Sequence, residues 1–325
     1  KAHFVEAYSN LFAAKNADVL VGADYRSQIT DQDYLSISNF GPYTTALGDS
    51  AKVKQLGVYA SVVLKDIQGF NLEVGGRYNH FNKYGDAFTF SFNPSYVIKN
   101  VIKIFGNITS GFKAPSLYQV YSEYRNPNTE LKPEKSLSIE GGVQYTKGNT
   151  NLRAVYFIRN VKDVIAFYSA GAPTYASYYV NADKQKDKGL ELEATVKFDK
   201  INVTASYTNL DGFIETKTGA KDTAFFNLYR RPRQTINLNI GFAICKNWQM
   251  NIGIQSISKR FEAVYAAAPI EMPAYYIWNL YSSYHINNKI KIFADFKNIT
   301  DEKYFEVRGY NSRRFNTMAG VAIRL

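Results

Sequence analysis

Glu191 and Glu193 are the pair of side chains best placed to do chemistry, because residues two apart on a strand share one face. Two carboxylates on one face can act as an acid and a base, or can hold a metal ion. Leu190 and Leu192 alternate with them and would cover the opposite face of the same strand. We therefore predict that the two carboxylates face a wet interior and serve packing there.

The other reactive side chains lie far apart in the sequence. The histidines are His3, His80 and His285, and the one cysteine, Cys245, excludes an internal disulfide. No Ser/His/Asp arrangement, cluster of metal ligands or phosphate-binding glycine loop occurs at a meaningful spacing. The sequence therefore predicts that the protein is not an enzyme and that it uses no cofactor or metal.

The positive charge of the chain is spread along its whole length. The formal net charge is +11, with 39 Lys and Arg residues against 28 Asp and Glu residues. A nucleic-acid-binding protein usually gathers its basic residues on one face or in a recognised module. Here they are scattered, which suits a solvated surface or a mouth that meets anionic ligands or lipopolysaccharide. We expect no nucleic-acid partner.

Short segments of alternating polarity must position these residues. In 233–244, Ile236 and Leu238 share one face, and Asn237 and Asn239 take the other. The runs last about 9–11 residues, the length of a tilted transmembrane strand, and no apolar run reaches the roughly 18 residues of a membrane helix. The same alternation recurs in 52–64, 69–79, 137–146, 189–198, 201–209, 247–254, 275–286 and 289–296.

Aromatic residues stand near the ends of these segments, as they do in the aromatic girdles of membrane barrels. They include Tyr78, Tyr145, Tyr207, Trp248 and Trp278. A soluble β-sandwich would also alternate, but it would need no such girdle and no lipid-facing band. The sequence therefore predicts an all-β protein, a transmembrane antiparallel β-barrel.

The connections between the segments are short and long in turn. In bacterial barrels the short turns are periplasmic and the long loops are extracellular. About fifteen strands are expected, and both the first, 2–13, and the last, 315–325, run inward. Such barrels have an even number of strands, so we expect further chain upstream. Short turns are predicted at 14–17, 66–69, 98–100, 147–150, 199–200, 245–247 and 287–288, and long loops at 29–51, 112–134, 165–187, 211–232, 259–273 and 298–314.

Three ordered segments carry more specific patterns. Residues 111–136 read GFKAPSLYQVYSEYRNPNTELKPEKS, residues 181–193 read NADKQKDKGLELE, and residues 298–310 contain N-I-T-D, a later Tyr and G-Y. Together they resemble the sequence boxes of TonB-dependent outer-membrane receptors. The matching residues are Phe112, Ala114, Pro115, Asn126, Pro127, Lys132, Pro133, Glu134, Asn181, Gly189, Glu191, Glu193, Asn298, Asp301, Tyr304, Gly309 and Tyr310.

This resemblance implies a barrel of about 22 strands, of which the chain would be the C-terminal portion, without the N-terminal plug and the first strands. It also implies an outer-membrane location and uptake of a scarce small molecule, cobalamin or a ferric siderophore. TonB would energise that uptake through the plug. Membrane lipid and lipopolysaccharide are implied partners, and the family allows for a surface lipoprotein as well.

Two alternatives remain at this point. A passive porin would share the strand pattern but would lack the three sequence boxes. A haem receptor of this family would place a histidine between the first two boxes to bind iron, and residues 113–131 contain none.

Ligand-binding residues are expected in the long loops, because rigid aromatic rings and forked guanidinium groups anchor small molecules well. The candidates are Tyr118, Tyr121, Tyr124, Arg125, Tyr178, Tyr179, Tyr229, Arg230, Arg231, Arg260, Tyr265, Arg308, Tyr310 and Arg313.

Overall fold

The computed structural model describes residues 1–39, 41–47, 51–126, 129–169, 176–218, 221–225, 229–264 and 267–324. These residues contain twenty strands, fifteen of which follow one another in a continuous antiparallel sheet. The strands are β1 (Ala2–Ala14), β2 (Ala17–Ile29), β3 (Gln32–Ser38), β4 (Gly41–Leu47), β5 (Lys52–Ile67), β6 (Phe70–Phe81), β7 (Gly85–Ile98), β8 (Ile102–Lys113), β9 (Glu134–Lys147), β10 (Thr150–Ser169), β11 (Ser177–Phe198), β12 (Ile201–Thr218), β13 (Lys221–Phe225), β14 (Gln234–Ala243), β15 (Trp248–Ile257), β16 (Arg260–Val264), β17 (Ala267–Met272), β18 (Tyr275–His285), β19 (Ile290–Lys297) and β20 (Asn316–Ile323).

The order of the sheet follows the order of the chain. β3–β4 and β16–β17 are separate two-stranded hairpins, and β13 pairs with the outer part of β12. One short helix, α1 (Leu117–Tyr121), lies between β8 and β9. No helix in the described ranges is long and apolar enough to cross a membrane. The expected all-β class and the count of about fifteen sheet strands are confirmed.

The two faces of the sheet differ in the way that the alternation predicts. Leu192, Ile236 and Trp278 are large hydrophobic residues that stay 40–44% exposed on one face, which we call the apolar face. On the other, the polar face, side chains pair across strands, and Arg153 lies 3.2 Å from Glu193. Glu191 shares that face because it is two residues from Glu193. The polar face is therefore a hydrogen-bonded wall.

The two ends of the sheet also differ, and we call them the short-turn end and the long-loop end. All seven predicted short turns lie at one end. The long-loop end departs from expectation in two ways. The connection between β6 and β7 is tight there, and much of 165–187 is strand because β10 and β11 extend well beyond their predicted limits. Three other predicted loops contain the hairpin strands β3–β4, β13 and β16–β17.

The short turns are built from residues that accept a left-handed backbone. Lys99 and Asn100 both have positive φ, at 51° and 55°, as a two-residue hairpin turn requires. Gly69 has φ +86°, and a Cβ atom there would lie 2.6 Å from the carbonyl oxygen of Val97. Only glycine fits that position, so the turn after β5 depends on it.

The buried apolar residues form small clusters instead of one central core. Val53, Phe81 and Ala87 make one such cluster, and Ile257 and Tyr275 belong to another. Both lie where strands leave the sheet at the long-loop end. Packing is therefore concentrated where the long segments must be held in place.

Aromatic rings on the polar face lie flat against glycines of the neighbouring strand. Gly189 pairs directly with Phe157, and a Cβ atom at Gly189 would lie 2.5 Å from the ring. Gly142 accommodates Phe105 in the same way. The close approach at Gly189 explains the glycine of the second sequence box, and the strand pairing runs through it without a bulge.

Candidate ligand-binding site

The segment between β8 and β9, residues 114–133, organises the long-loop end, and we call it the α1 segment. Its helix begins at Ser116, whose hydroxyl accepts a hydrogen bond from the Gln119 backbone at 3.2 Å. The Gln119 side chain accepts one from the Ser116 backbone at 2.9 Å, which completes a capping box. This reciprocal cap fixes a helix of only five residues at a defined place.

The start of the α1 segment is held by the tight turn between β6 and β7. The Tyr84 hydroxyl donates to the carbonyl of Pro115 at 3.1 Å, and the Lys83 ammonium donates to the Tyr121 hydroxyl at 2.8 Å. Burial raises the pKa of Tyr84 to about 12, with smaller contributions from Tyr121 and Glu130. Tyr84 therefore stays neutral and remains a donor at any physiological pH.

The end of the α1 segment is held by Asn181 on β11. Its side-chain amide donates to the carbonyl of Lys132 and accepts from the backbone N–H of the same residue, both at 2.8 Å. It also donates to the carbonyl of Asp163 at 2.7 Å. Glu134 accepts from the backbone N–H of Ile165 at 2.9 Å. Residues from two different sequence boxes thus meet, and they fasten the segment to the β10–β11 hairpin.

An aromatic cluster forms where the α1 segment meets that hairpin. The rings of Tyr118, Tyr124, Phe167 and Tyr179 contact one another with centroids 5.2–6.4 Å apart. Burial raises the pKa of Tyr118 and Tyr124, and the carboxylate of Glu123 adds to both shifts. Three of the predicted ligand residues are thereby brought together. Tyr179 reaches the cluster from β11 and not from a loop.

A cavity of about 510 Å³ separates the α1 segment from the polar face, and we call it the wall cavity. Arg26, Gln55, Arg77 and Asn79 line its wall, and the start of the α1 segment lines its other side. Arg77 is fixed by Asp24 at 2.6 Å and by Asn79 at 2.8 Å. The cavity therefore offers fixed, cationic and amide groups to a ligand.

Sequence reasoning missed these wall residues because it looked for ligand residues only in loops. The alternation already placed Arg77 and Asn79 on the same face as each other, two residues apart on a predicted strand. The signal was present, but it did not separate a binding residue from an ordinary polar wall residue.

A second, smaller pocket of about 400 Å³ lies on the outer side of the α1 segment. Lys83, Tyr121 and Arg125 line it, together with Asn126 of the first sequence box. Lys83 also lies 4.2 Å above the ring of Tyr121, a cation–π contact. Two further predicted ligand residues, Tyr121 and Arg125, therefore share one pocket.

Two of the other predicted arginines, Arg230 and Arg260, take part in contacts between loops. Arg260 is 3% exposed, and its guanidinium donates to the carbonyl of Phe305. Arg230 donates to Glu262 at 2.6 Å, and this hydrogen bond raises the pKa of Arg230 above its usual value. Both side chains join segments that are far apart in sequence.

The remaining predicted ligand residues are spread over the long-loop end. Tyr310 is exposed, and Tyr229 lies beside Arg230 in the connection before β14. Tyr265 and Pro127 lie outside the described residues. Tyr178 packs against Tyr168. The predicted ligand residues Arg231, Arg308 and Arg313 are exposed.

The third sequence box folds the connection between β19 and β20. Asn298 is buried, donates to the carbonyl of Glu302 at 2.9 Å and accepts from the backbone N–H of that residue at 2.9 Å. The Asp301 carboxylate binds Arg314 at 2.9 Å, which holds the pKa of Asp301 below its usual value. Tyr304 stacks on Tyr275 with ring centroids 4.5 Å apart. These residues serve loop structure.

No histidine is among the residues that line the two cavities in the described part of the chain. His80 is exposed and contacts Asp86 at 2.7 Å, and His285 lies next to a short turn. Within the described ranges, no group of three or more His, Cys, Asp and Glu side chains is arranged to hold a metal ion. The polar and aromatic groups at the long-loop end therefore remain the candidate binding site.

The geometry agrees with a comparison against known families. A model of the TonB dependent receptor-like β-barrel family matches residues 3–299. The chain therefore belongs to the TonB-dependent receptor β-barrel family, and the resemblance seen in the sequence is confirmed.

Solved structures of this fold align along nearly the whole chain. The siderophore receptor PirA from Acinetobacter baumannii matches with a TM-score of 0.75 at 17% identity, over 99% of this chain and 54% of that one. A mutant of the ferric enterobactin receptor from Pseudomonas aeruginosa, in complex with enterobactin, gives 0.76 at 18% over 99% and 54%. The FrpB iron transporter from Neisseria meningitidis gives 0.74 at 14% over 98% and 55%. The chain thus spans about half the length of these proteins.

Proposed function

We propose that this chain is the C-terminal portion of the barrel of an outer-membrane receptor that takes up a ferric siderophore. The observation that carries the proposal is the wall cavity, where Arg26 and Arg77 face a ligand-sized space. Ferric siderophores are compact, and many carry anionic or aromatic iron-binding groups. Cationic and aromatic side chains in fixed positions suit such molecules.

The same proposal includes the membrane placement and the energy source. The apolar face contacts lipid, and the long-loop end faces the outside with its lipopolysaccharide. TonB drives uptake through a plug that the rest of the receptor supplies, and a surface lipoprotein is a further partner. Family membership and the siderophore receptors among the solved relatives support these assignments.

A binding experiment on the full-length receptor tests the ligand and the site together. The probes are ferric catecholate, hydroxamate and carboxylate siderophores, with cobalamin and haem as competitors. We expect one siderophore class to bind, and Arg26→Gln and Tyr118→Ala each to weaken it about tenfold, as anchor residues do. Lys99→Gln and Tyr96→Ala likewise remove one positive charge and one aromatic ring at the short-turn end, and they should leave affinity unchanged.

Uptake and conductance measurements distinguish the remaining alternatives. Cells that lack TonB should bind the labelled siderophore and fail to accumulate it. A steady open conductance of the full-length protein would instead indicate a passive porin. Binding of cobalamin or haem, with no siderophore bound, would show that the receptor class is right and the ligand is wrong.

A further inference from the structure

A lysine stands in or beside each of the seven short turns of the sheet, and we call this set the lysine row. All of these lysines are exposed. Lys65 pairs with Asp18. Within the part of the chain that the structure describes, the others make no ion pair. The lysine row consists of Lys15, Lys65, Lys99, Lys147, Lys200, Lys246 and Lys289.

The apolar face ends directly beside the lysine row. Tyr96, Trp248 and Tyr284 are exposed aromatic residues within a few positions of the short turns. From the middle of the apolar face toward the short turns, the apolar side chains are followed by these aromatic rings and then by the ammonium groups of the lysine row. The hydrocarbon, interface and headgroup layers of a lipid leaflet follow in the same order. Uncompensated lysines at the headgroup layer favour anionic lipids.

A groove on the apolar face reaches this edge. It has a volume of about 680 Å³ and runs across β9, β10, β11, β12 and β14. Its floor is made of three small residues, Ala154, Ala194 and Ala205, and Ala194 pairs directly with Ala205. Tyr145 and Tyr207 are among the larger residues at its sides. Small residues between large ones leave a slot that can take an acyl chain.

Lys147 is the member of the lysine row nearest the groove, because it ends β9 on the same face as Tyr145. Lys200 lies further along the same edge, directly before β12. The two lysines are three strands apart, which is about 14 Å across the sheet at the usual strand spacing. Two lysine side chains extended toward each other can both reach a phosphate group held between them.

From this geometry we infer that the short-turn edge holds an anionic glycerophospholipid, with an acyl chain in the groove and its phosphate between Lys147 and Lys200. The inference rests on the proposed membrane placement of the apolar face. It gives a function to the lysine row, which lies at the end of the sheet opposite the candidate ligand-binding site and has no part in ligand uptake.

Lipid retention by the full-length receptor tests the inference. The receptor is reconstituted in bilayers of phosphatidylglycerol and phosphatidylethanolamine, extracted gently, and weighed with its bound lipid by native mass spectrometry. We expect retention of phosphatidylglycerol. The double variant Lys147→Gln with Lys200→Gln should weaken it about twentyfold, since each lysine near a membrane surface contributes about fivefold. Ala194→Leu should fill the groove and also release the lipid.

Matched variants on the same sheet serve as controls. Lys246→Gln with Lys289→Gln removes two charges from another part of the lysine row, away from the groove. Ala60→Leu enlarges a residue of the apolar face on β5. Both controls should retain phosphatidylglycerol normally.

Three results would overturn the inference. They are equal retention of phosphatidylethanolamine, equal losses in the controls, or retention of lipid A in place of phospholipid. A receptor that shows any of these but still inserts into bilayers and binds its ligand would leave the proposed function intact. A receptor that is monodisperse in buffer without detergent would refute the membrane placement itself.

Discussion

The two ends of the sheet are held together in different ways. At the short-turn end the turns are closed by their own backbone, as in the hydrogen bond from Val101 to Ile98 at 3.0 Å. At the long-loop end, side chains fasten segments that lie about fifty residues apart, as Asn181 does with Lys132. The short-turn end has a comparable side-chain tie, since the Asn16 amide donates to the carbonyl of Lys65 at 2.7 Å. Its turns also close through their own backbone, whereas the long connections are held by side chains.

This difference explains what the sequence boxes of the family do in this chain. Asn181 and Glu134 bond to backbone groups of other segments, and Asn298 bonds to backbone groups within its own connection. In the proposed function, the aromatic cluster and the arginines of the wall cavity are the groups that meet the ligand. The box residues with these backbone hydrogen bonds thus build the loop structure around the candidate site.

The largest expected effect comes from breaking the apolar band that separates the two ends. Ile252 lies mid-strand on the apolar face, opposite Ile240 and Leu280. Ile252→Arg should destabilise the folded barrel by about 2–4 kcal/mol if that face meets lipid. Asn251→Arg, on the polar face, should have little effect. Unfolding by urea in liposomes measures both, and equal losses would contradict the assigned faces.

A second prediction concerns the polar face, which runs between the two ends of the sheet. Gly189→Ala places a methyl group against the Phe157 ring and the carbonyl of Asn209, and it should destabilise by about 1–3 kcal/mol through overpacking. A Cβ atom at Gly241 would have no neighbouring atom closer than 3.7 Å, so Gly241→Ala should be neutral. The same unfolding assay compares them. A neutral Gly189→Ala would show that the ring moves aside freely.

The side-chain hydrogen bonds that join distant segments give the sharpest comparison between the two ends. Asn181→Ala leaves backbone groups of Lys132 and Asp163 without partners and should destabilise by about 1–2 kcal/mol. It should also weaken ligand binding, because it frees the α1 segment. Asn16→Ala removes an amide that donates to Lys65 at the short-turn end, and it should leave affinity unchanged. Equal effects on affinity would erase the functional difference between the ends.

The smallest effect should appear only at high pH. The pKa of Tyr84 is raised from its usual value near 10 to about 12, so its neutral form is favoured in the folded protein. The stability that this gives is complete below about pH 10 and is lost as the pH rises through about 12. Titration of tyrosinate absorbance should show one late step, which Tyr84→Phe removes. A late step that survives in the variant would place the buried phenol elsewhere.

Much of the fold could be predicted from the sequence, because alternation reports directly on the two faces of a strand. The turn before β8 was predictable from its position between two alternating runs, and Lys99 and Asn100 form it. The tight turn at Lys83 and Tyr84 was not assigned, since nothing local shows that it anchors a segment thirty residues away.

The site was less predictable for a related reason. Tyr118, Tyr124 and Tyr179 could be named because aromatic residues in long segments are good ligand anchors. Arg77 could not be distinguished from other polar residues of the wall, because its importance comes from a cavity that only the folded chain creates. Arg260 satisfied the same rule as the tyrosines, yet folding turns it inward to hold a backbone carbonyl.

The α1 segment is held at both of its ends, and this has a consequence for how such a protein evolves. Pro115 at its start and Lys132 near its end are held by Tyr84 and Asn181. We therefore expect that residues 116–131 between them can be replaced while the neighbouring strands keep their pairing. A new ligand preference could be acquired by replacing those residues, while the scaffold that inserts and folds is inherited unchanged.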